Sequence, residues 1–213
     1  MKRLTLKFGG TSVGSIEKIE KVAKIIKKRH DEGNEIIVIV SAMAGVTNDL
    51  VNKSKSISKN FDPSEHDVLV SAGEQISCSL LSGAIIKLGV KARSWMGWQL
   101  PIVTDNNHTA SRIIKIKTDE IIKYISDGGV AVIPGFQGIS SEYRITTLGR
   151  GGSDYTAALF GHAMQVKEIQ IWTDVDGVMT AANGSPITPY DMVMHGGKEG
   201  DEAGKKAEIK TDQ

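Results

Sequence analysis

Apolar residues in the first 40 positions follow three successive patterns. Residues 4–8 alternate apolar and polar side chains, which is the period of a short strand. Residues 16–26 carry apolar side chains at helical spacing, with Glu and Lys between them, and predict an amphipathic helix capped by Ser15 and ending near Gly33. Residues 35–40 form an Ile- and Val-rich run, typical of a strand buried on both faces of a parallel sheet.

The rest of the chain continues this alternation of strands and helices. The predicted helices cover 49–62, 67–88 (with an interruption at Gly73-Glu74-Gln75), 118–126 and 155–164, and the predicted strands cover 90–95, 129–136 and 168–172. Strands that alternate with helices favour an open, mostly parallel sheet with helices on both faces. The predicted fold class is therefore α/β, a three-layer α/β/α sandwich.

Composition narrows the class of protein. The chain has 213 residues, 40% hydrophobic and 24% charged, with a net charge of +1, which suits one soluble domain. Without a basic excess we expect no nucleic-acid or membrane-surface partner. No stretch is expected to span a membrane and no signal peptide is expected, so the predicted location is cytoplasmic. Cys78 lies among apolar residues and is expected to be buried, and the five histidines lack metal-ligand spacing.

Residues 7–15, Lys-Phe-Gly-Gly-Thr-Ser-Val-Gly-Ser, carry the first candidate chemistry. A strand, a glycine turn and a helix N-terminus make an anion site, because free N–H groups and the helix dipole point outward. Lys7 adds a positive charge, so the stretch reads as a phosphate cradle. The alternative is an ordinary turn with Lys7 facing water. The spacing fits neither a Walker loop nor a dinucleotide fingerprint.

Two further segments place polar groups where open sheets bind ligands. Residues 41–48, Ser-Ala-Met-Ala-Gly-Val-Thr-Asn, follow the buried strand directly. Glu74 lies inside an apolar stretch, where an unpaired charge is costly to bury. Its carboxylate is therefore either paired or functional, or it is exposed at a helix kink.

The segments around 150 and 174 complete the candidates. Arg150 between glycines suits an anion clamp, and Ser153 or Asp154 is expected to cap the helix that follows; a plain glycine hinge is the alternative. Residues 173–178, Thr-Asp-Val-Asp-Gly-Val, suit ribose contacts or Mg²⁺ held through water. A simple Asp-Gly turn is the alternative interpretation.

Five motifs now stand in a fixed order: KFGGTSVGS, SAMAGVTN, AGEQIS, GRGGSDYTAA and WTDVDGV. Together they resemble the aspartate kinases of the amino acid kinase family, over roughly residues 1–178. The resemblance implies transfer of the γ-phosphoryl group of ATP, with Mg²⁺, to the side-chain carboxylate of L-aspartate, the first step of lysine, threonine and methionine biosynthesis.

The resemblance also implies roles for particular residues. Lys7 would stabilise the transferring phosphoryl group and Asp154 would orient Lys7, which makes these two the catalytic pair. The implied nucleotide contacts are Lys7, Phe8, Gly9, Gly10, Thr173 and Asp174, with N–H donors from the two glycines. The implied amino-acid contacts are Ser41, Thr47, Glu74, Arg150 and Ser153, with Glu74 facing the ammonium group and Arg150 the α-carboxylate.

After Val178 the motifs stop, and Met179 replaces a tyrosine of the family pattern. The prediction is a partial catalytic domain over 1–180 and a divergent, disordered tail over 181–213. Uncovered sheet surface would favour association into a homo-oligomer. Besides an aspartate kinase impaired by truncation, two hypotheses stay open. One is a non-catalytic remnant that binds amino acid or nucleotide or associates with a full-length kinase. The other is a sibling kinase for glutamate, carbamate or a nucleotide.

Overall fold

A computed structural model describes residues 2–100, 102–149 and 151–173, together with two short strands at 193–196 and 205–207. The elements in chain order are β1 (Arg3–Phe8), α1 (Ile16–Asp31), β2 (Glu35–Val40), α2 (Val46–Ile57), α3 (Pro63–Lys87), β3 (Ala92–Ser94), β4 (Ile102–Thr104), β5 (Ile113–Ile116), α4 (Asp119–Ser126), β6 (Val130–Pro134), β7 (Gln137–Ser140), β8 (Ile145–Thr147), α5 (Gly152–Ala163), β9 (Glu168–Thr173), β10 (Val193–Gly196) and β11 (Lys205–Ala207).

Among the described residues, the main sheet has seven strands in the order β11-β10-β9-β1-β2-β6-β3. Every neighbouring pair is parallel except β10 with β11. Strand β1 lies in the middle, between β9 and β2, so its last residues stand at the centre of the carboxyl edge. The predicted open, mostly parallel sheet is confirmed.

Two apolar clusters cover the two faces of this sheet. Helices α1 and α3 pack on one face together with Leu4, Leu6 and Phe8 of β1. Helix α5 and helix α4 pack on the other face. Alternation along β1 therefore points Lys7 toward the α5 side. Because helices cover both faces, Thr5 and Lys7 are buried as well, which the alternating pattern alone did not indicate.

Local signals at the first helix are confirmed. The Ser15 side chain accepts a hydrogen bond from the Lys18 N–H at 3.3 Å, as an N-cap residue does. Helix α1 ends at Asp31, and Gly33 follows with a φ of +82°, the left-handed region that glycine tolerates. Cys78 is fully buried, also as expected.

Helix α3 overturns two expectations. It runs unbroken through Gly73. The absence of a side chain at Gly73 lets the helix pack closely against the loop after β2, since an added Cβ would lie 2.9 Å from the Cβ of Ala42. By length and composition α3 is also long and apolar enough to cross a membrane, contrary to the expectation that no stretch was. Half of its apolar window is buried inside the fold, as in the core helix of a packed domain.

The second sheet, with strand order β5-β4-β7-β8, was not predicted. Its strands have only three or four residues each, so none shows a clear period. The start of α5 also differs from the prediction. The helix begins at Gly152 after Gly151, whose φ is +75°, so Ser153 and Asp154 lie in the first turn instead of capping it. The segment 181–213 lies outside the described residues except for β10 and β11.

Candidate active site

The carboxyl ends of β1, β2 and β6 meet at one edge of the main sheet, and loops from each converge there. Parallel neighbours β1 and β2 pair Phe8 with Val40, and β2 and β6 pair Val40 with Pro134. The glycine turn after β1 and the 41–45 loop after β2 therefore start side by side. Open α/β sheets bind ligands at this edge, and most of the predicted site residues lie here.

Lys7 forms the centre of the arrangement. Its Nζ lies 2.6 Å from Oδ1 of Asp154 in the first turn of α5. The lysine side chain is 9% exposed, whereas the Asp154 side chain is 48% exposed. A Cβ built on Gly9 would lie 3.7 Å from the same Nζ, so the ammonium group stands beside the glycine turn. A nearly buried cation is thus held at the sheet edge by a carboxylate that faces solvent.

The two glycines of the turn play different parts. The Gly9 N–H already donates to the Trp172 carbonyl at 3.1 Å, so the expectation that it is a free donor for phosphate is wrong for this conformation. Gly10 is required sterically, because an added Cβ would lie 2.6 Å from the Ala42 carbonyl oxygen. The Gly10 carbonyl accepts the Ala44 N–H at 3.1 Å, which ties the two strand-end loops together.

Phe8 does not suit the nucleotide role through its side chain. The ring is 1% exposed and stacks on Trp172, with centroids 5.7 Å apart. It therefore belongs to the core beneath the site. Only its backbone touches the edge, where the Phe8 carbonyl accepts the Ser41 N–H at 3.1 Å.

Helix α3 clamps the loop after β2 from one side. The Ser77 hydroxyl donates to the Ser41 carbonyl at 2.7 Å. One turn earlier, Glu74 lies against the backbone N–H of Ala42. Sequence reasoning treated Ser77 only as part of the AGEQIS motif. Its spacing of three residues from Glu74, which puts both on one helix face, was the signal that could have found it.

Glu74 is 4% exposed, and its Oε2 has no hydrogen-bond partner among the described residues. Burial raises the pKa of Glu74 to about 7, and the neighbouring backbone N–H groups offset only part of that effect. The choice left open between an exposed kink and a buried carboxylate is thereby decided for burial. A buried acid with a free oxygen is a ready partner for a cationic ligand group.

The start of α5 borders the loop after β6. Gly135 lies against Ser153, since an added Cβ would come within 2.6 Å of the Ser153 hydroxyl oxygen. The next residue, Phe136, has a φ of +68°, and its N–H donates to the Thr156 hydroxyl at 3.2 Å. A left-handed aromatic residue is strained, and such strain concentrates at functional sites. The sequence held no signal for this strain.

The remaining predicted residues are less well placed by the structure. Thr47 lies in the first turn of α2, directly after Val46, whose side chain approaches Gly73. Thr173 is the last residue of β9, and only its backbone is described. Arg150 and Asp174 lie outside the described residues.

The described contacts form one continuous path, from Asp154 through Lys7 and the glycine turn to Ala42 and Glu74. It links a cation at the sheet edge with the buried carboxyl group of Glu74 on α3. Such a site can neutralise a phosphate at one end and an ammonium group at the other. Among the described residues no group of three or more His, Cys, Asp or Glu side chains could hold a metal ion.

The sequence profile of the amino acid kinase family matches residues 2–188. The chain belongs to the amino acid kinase family. The match extends ten residues past Val178, where the motifs had stopped. It confirms the family and the fold that the resemblance implied.

Curated relatives of this amino acid kinase chain include an aspartate kinase of Stutzerimonas stutzeri. That protein is 50% identical over 180 residues, which cover 84% of this chain and 44% of the relative. The chain therefore spans less than half the length of this relative.

Two solved structures extend the comparison. The aspartate kinase from Synechocystis is 41% identical with a TM-score of 0.71, and the match covers 81% of this chain and 28% of that one. Aspartokinase III of E. coli, in complex with aspartate and ADP, is 26% identical with a TM-score of 0.71, and the match covers 83% of this chain and 50% of that one.

Proposed function

We propose that the chain is the substrate-binding part of an aspartate kinase, which transfers the γ-phosphoryl group of ATP to the side-chain carboxylate of L-aspartate. The observation that carries the proposal is the Lys7–Asp154 pair beside the glycine turn, joined through Ala42 to the buried carboxylate of Glu74. The motifs that resemble aspartate kinases, and the relatives of that name, support this substrate over others.

The proposed reaction needs charge neutralisation and positioning. A carboxylate oxygen of aspartate attacks the γ-phosphorus, the bond to the β–γ bridging oxygen breaks, and ADP leaves. The carboxylate is already a nucleophile, so no general base is needed. Lys7, whose ammonium group lies beside the glycine turn, is placed to stabilise the negative charge on the transferring group. Asp154 holds the lysine ammonium in that place.

The substrate ammonium group suits Glu74, whose Oε2 is buried and unpartnered among the described residues. Arg150, which precedes the α5 N-terminus, is proposed for the α-carboxylate, with Ser153 beside Gly135 as its neighbour. Ser41, which begins the loop that Glu74 and Ser77 contact, and Thr47, in the first turn of α2, are also proposed for the amino acid. Thr173 and Asp174 are proposed for the nucleotide.

Mg²⁺ normally binds ATP through phosphate oxygens and keeps several waters, so it requires no protein cage. Asp154, half exposed beside Lys7, is the described carboxylate that fits a hydrated ion here. When bound, Mg²⁺ neutralises charge on the β- and γ-phosphates.

The test is formation of acyl phosphate, trapped with hydroxylamine as a hydroxamate, from Mg-ATP and a panel of acceptors. L-aspartate is expected to be the best acceptor, with glutamate and carbamate far behind. A panel in which aspartate is the poorest acceptor would establish a sibling kinase. No product from any acceptor, with aspartate still bound in calorimetry, would identify a non-catalytic remnant.

A further inference from the structure

Asp67 is a second buried carboxylate on α3, and the proposed reaction does not use it. Its side chain is fully buried. The Thr147 hydroxyl donates to Oδ1 at 2.5 Å, and the Thr109 N–H donates to both oxygens at 3.1 Å. His108 Nδ1 lies 2.7 Å from Oδ2, and because a carboxylate only accepts, this nitrogen is the donor. Three donors from two other segments therefore converge on one acid.

These contacts join three parts of the fold: α3, the loop between β4 and β5, and strand β8. The loop also binds Thr147 directly, since the N–H and the hydroxyl of Ser111 both donate to the Thr147 carbonyl at 3.0 Å. Thr147 is thus fixed through its side chain by the helix and through its carbonyl by the loop. Asp67 is the residue of α3 that contacts both the loop and β8.

The junction of α3, the β4–β5 loop and β8 around Asp67 includes a strained backbone conformation at Thr109. Its φ is +66°, in the left-handed region that a β-branched residue rarely adopts. Such a conformation persists only where surrounding contacts determine it. Here the contact is the bond from the Thr109 N–H to Asp67.

The junction lies directly upstream of the candidate site. Thr147 ends β8, and the chain continues through Leu148 and Gly149 to Arg150. The Leu148 N–H donates to the carbonyl of the strained Phe136 at 2.8 Å. On the other side, Glu74 follows Asp67 on the same helix, about 10 Å along its axis at 1.5 Å per residue.

We infer that Asp67 is a positioning residue that sets the spacing between Glu74 on α3 and the Leu148–Gly149 segment that follows β8. It thereby places Glu74, proposed for the ammonium group of the amino acid, relative to the segment that leads toward Ser153. This inference rests on the proposed function. The described partners of the Asp67 carboxylate are His108, Thr109 and Thr147, and they include none of the residues proposed for the nucleotide, so its loss is expected to affect aspartate and to spare the nucleotide.

Asp67→Asn keeps the shape of the side chain but presents an amide N–H to one of the donors. We expect the KM for aspartate to rise about tenfold or more, because small misplacements of binding groups are costly, and the KM for Mg-ATP to stay within about twofold. Thr147→Val is expected to have a smaller effect in the same direction, and Thr147→Ser, which keeps the hydroxyl, to restore most of the affinity.

Asp62→Ala is the matched control for simple weakening of α3. Asp62 caps the same helix by accepting the N–H groups of Ser64 and Glu65, at 2.9 and 3.0 Å, and the described hydrogen bonds do not link it to Asp67 or Thr147. It is expected to lower the Tm without changing the ratio of the two KM values. If it raises the KM for aspartate as Asp67→Asn does, or if Asp67→Asn leaves that KM unchanged, the positioning role is overturned.

Hydrogen exchange tests the junction without any turnover. Asp67→Asn is expected to speed exchange at residues 105–111 and 145–149 and to leave β1 and β2 unchanged. Unchanged exchange in both segments, 105–111 and 145–149, overturns the inference even if the kinase is active. A wild-type chain that neither binds nor phosphorylates aspartate overturns the proposed function, and with it the claim that Asp67 spaces a substrate pocket.

Discussion

The ammonium nitrogen of Lys7 lies 2.6 Å from Oδ1 of Asp154, and this contact joins the central strand of the sheet to the first turn of α5. The lysine approaches from inside the fold, and the aspartate is half exposed at the edge. The pair is therefore both an anchor for the helix start and a preset position for a positive charge. That position lies beside the turn that follows β1.

Asp154→Asn tests whether this pair sets the position of the charge. The amide keeps the shape and loses the charge, so Lys7 is free to move, and kcat is expected to fall about 10- to 100-fold. Because the Lys7 ammonium is nearly buried and keeps only a neutral amide as its partner, the free energy of unfolding should fall by about 1–3 kcal/mol. Steady-state kinetics and urea unfolding measure both quantities.

Asp31→Asn is the matched control for Asp154→Asn. Asp31 is paired with Lys27 at 2.8 Å on the exposed face of α1, at the end of that helix. Its replacement should leave kcat unchanged. An equal loss of kcat in the two variants would show that the Lys7–Asp154 pair has no special role.

Glu74 makes stability depend on pH. Burial raises its pKa from 4.5 to about 7, so between these values the folded chain holds a proton that the unfolded chain has released. Stability contributed by this group is therefore present below about pH 4.5 and is lost as pH rises toward 7, up to about 3 kcal/mol. Glu74→Gln should remove this loss, which urea unfolding at pH 5 and pH 8 will measure.

The same carboxyl couples aspartate binding to proton release. A substrate ammonium group favours the charged form of Glu74, so affinity is expected to increase as pH rises through about 7. Calorimetry in two buffers of different ionisation enthalpy counts the released proton. Glu74→Gln should bind aspartate weakly and with no release. If wild type and variant show the same pH dependence, another group is responsible.

Gly10 has no room for a methyl group. Gly10→Ala would place Cβ 2.6 Å from the Ala42 carbonyl oxygen, and the strand-end loops must separate. We expect a destabilisation of about 1–3 kcal/mol and a loss of activity. Gly83→Ala is the control, since an added Cβ there, inside the C-terminal part of α3, meets no described atom within 4 Å. It should stabilise the chain by about 0.5–1 kcal/mol.

Much of the main sheet could be predicted because its signals are local. The Ile-rich run of β2 and the helical spacing of α1 each lie within one short segment. The small sheet could not be predicted, since strands such as β8 are too short to show a period. The need for a glycine at position 73 of α3 comes from the distant Ala42, a packing relationship that no local pattern reports.

The residues of the candidate site likewise fall into those with a local sequence signal and those whose role comes from distant partners. Lys7 and Glu74 were recognisable, because a lysine before a glycine turn and an acid in an apolar helix are unusual in their own segments. Ser77 and Asp67 were not recognised, since their roles come from partners far away in the chain. The engagement of the Gly9 N–H with Trp172 likewise depends on the neighbouring strand.

Single-turnover transfer of the labelled γ-phosphoryl group from ATP to L-aspartate, in wild type and in Lys7→Ala, tests the central claim most directly. Loss of an electrostatic transition-state donor should slow transfer about 100- to 1,000-fold. Aspartate binding in calorimetry should stay intact, because Glu74 is untouched. Transfer at the wild-type rate in Lys7→Ala would contradict the claim that this lysine stabilises the phosphoryl group.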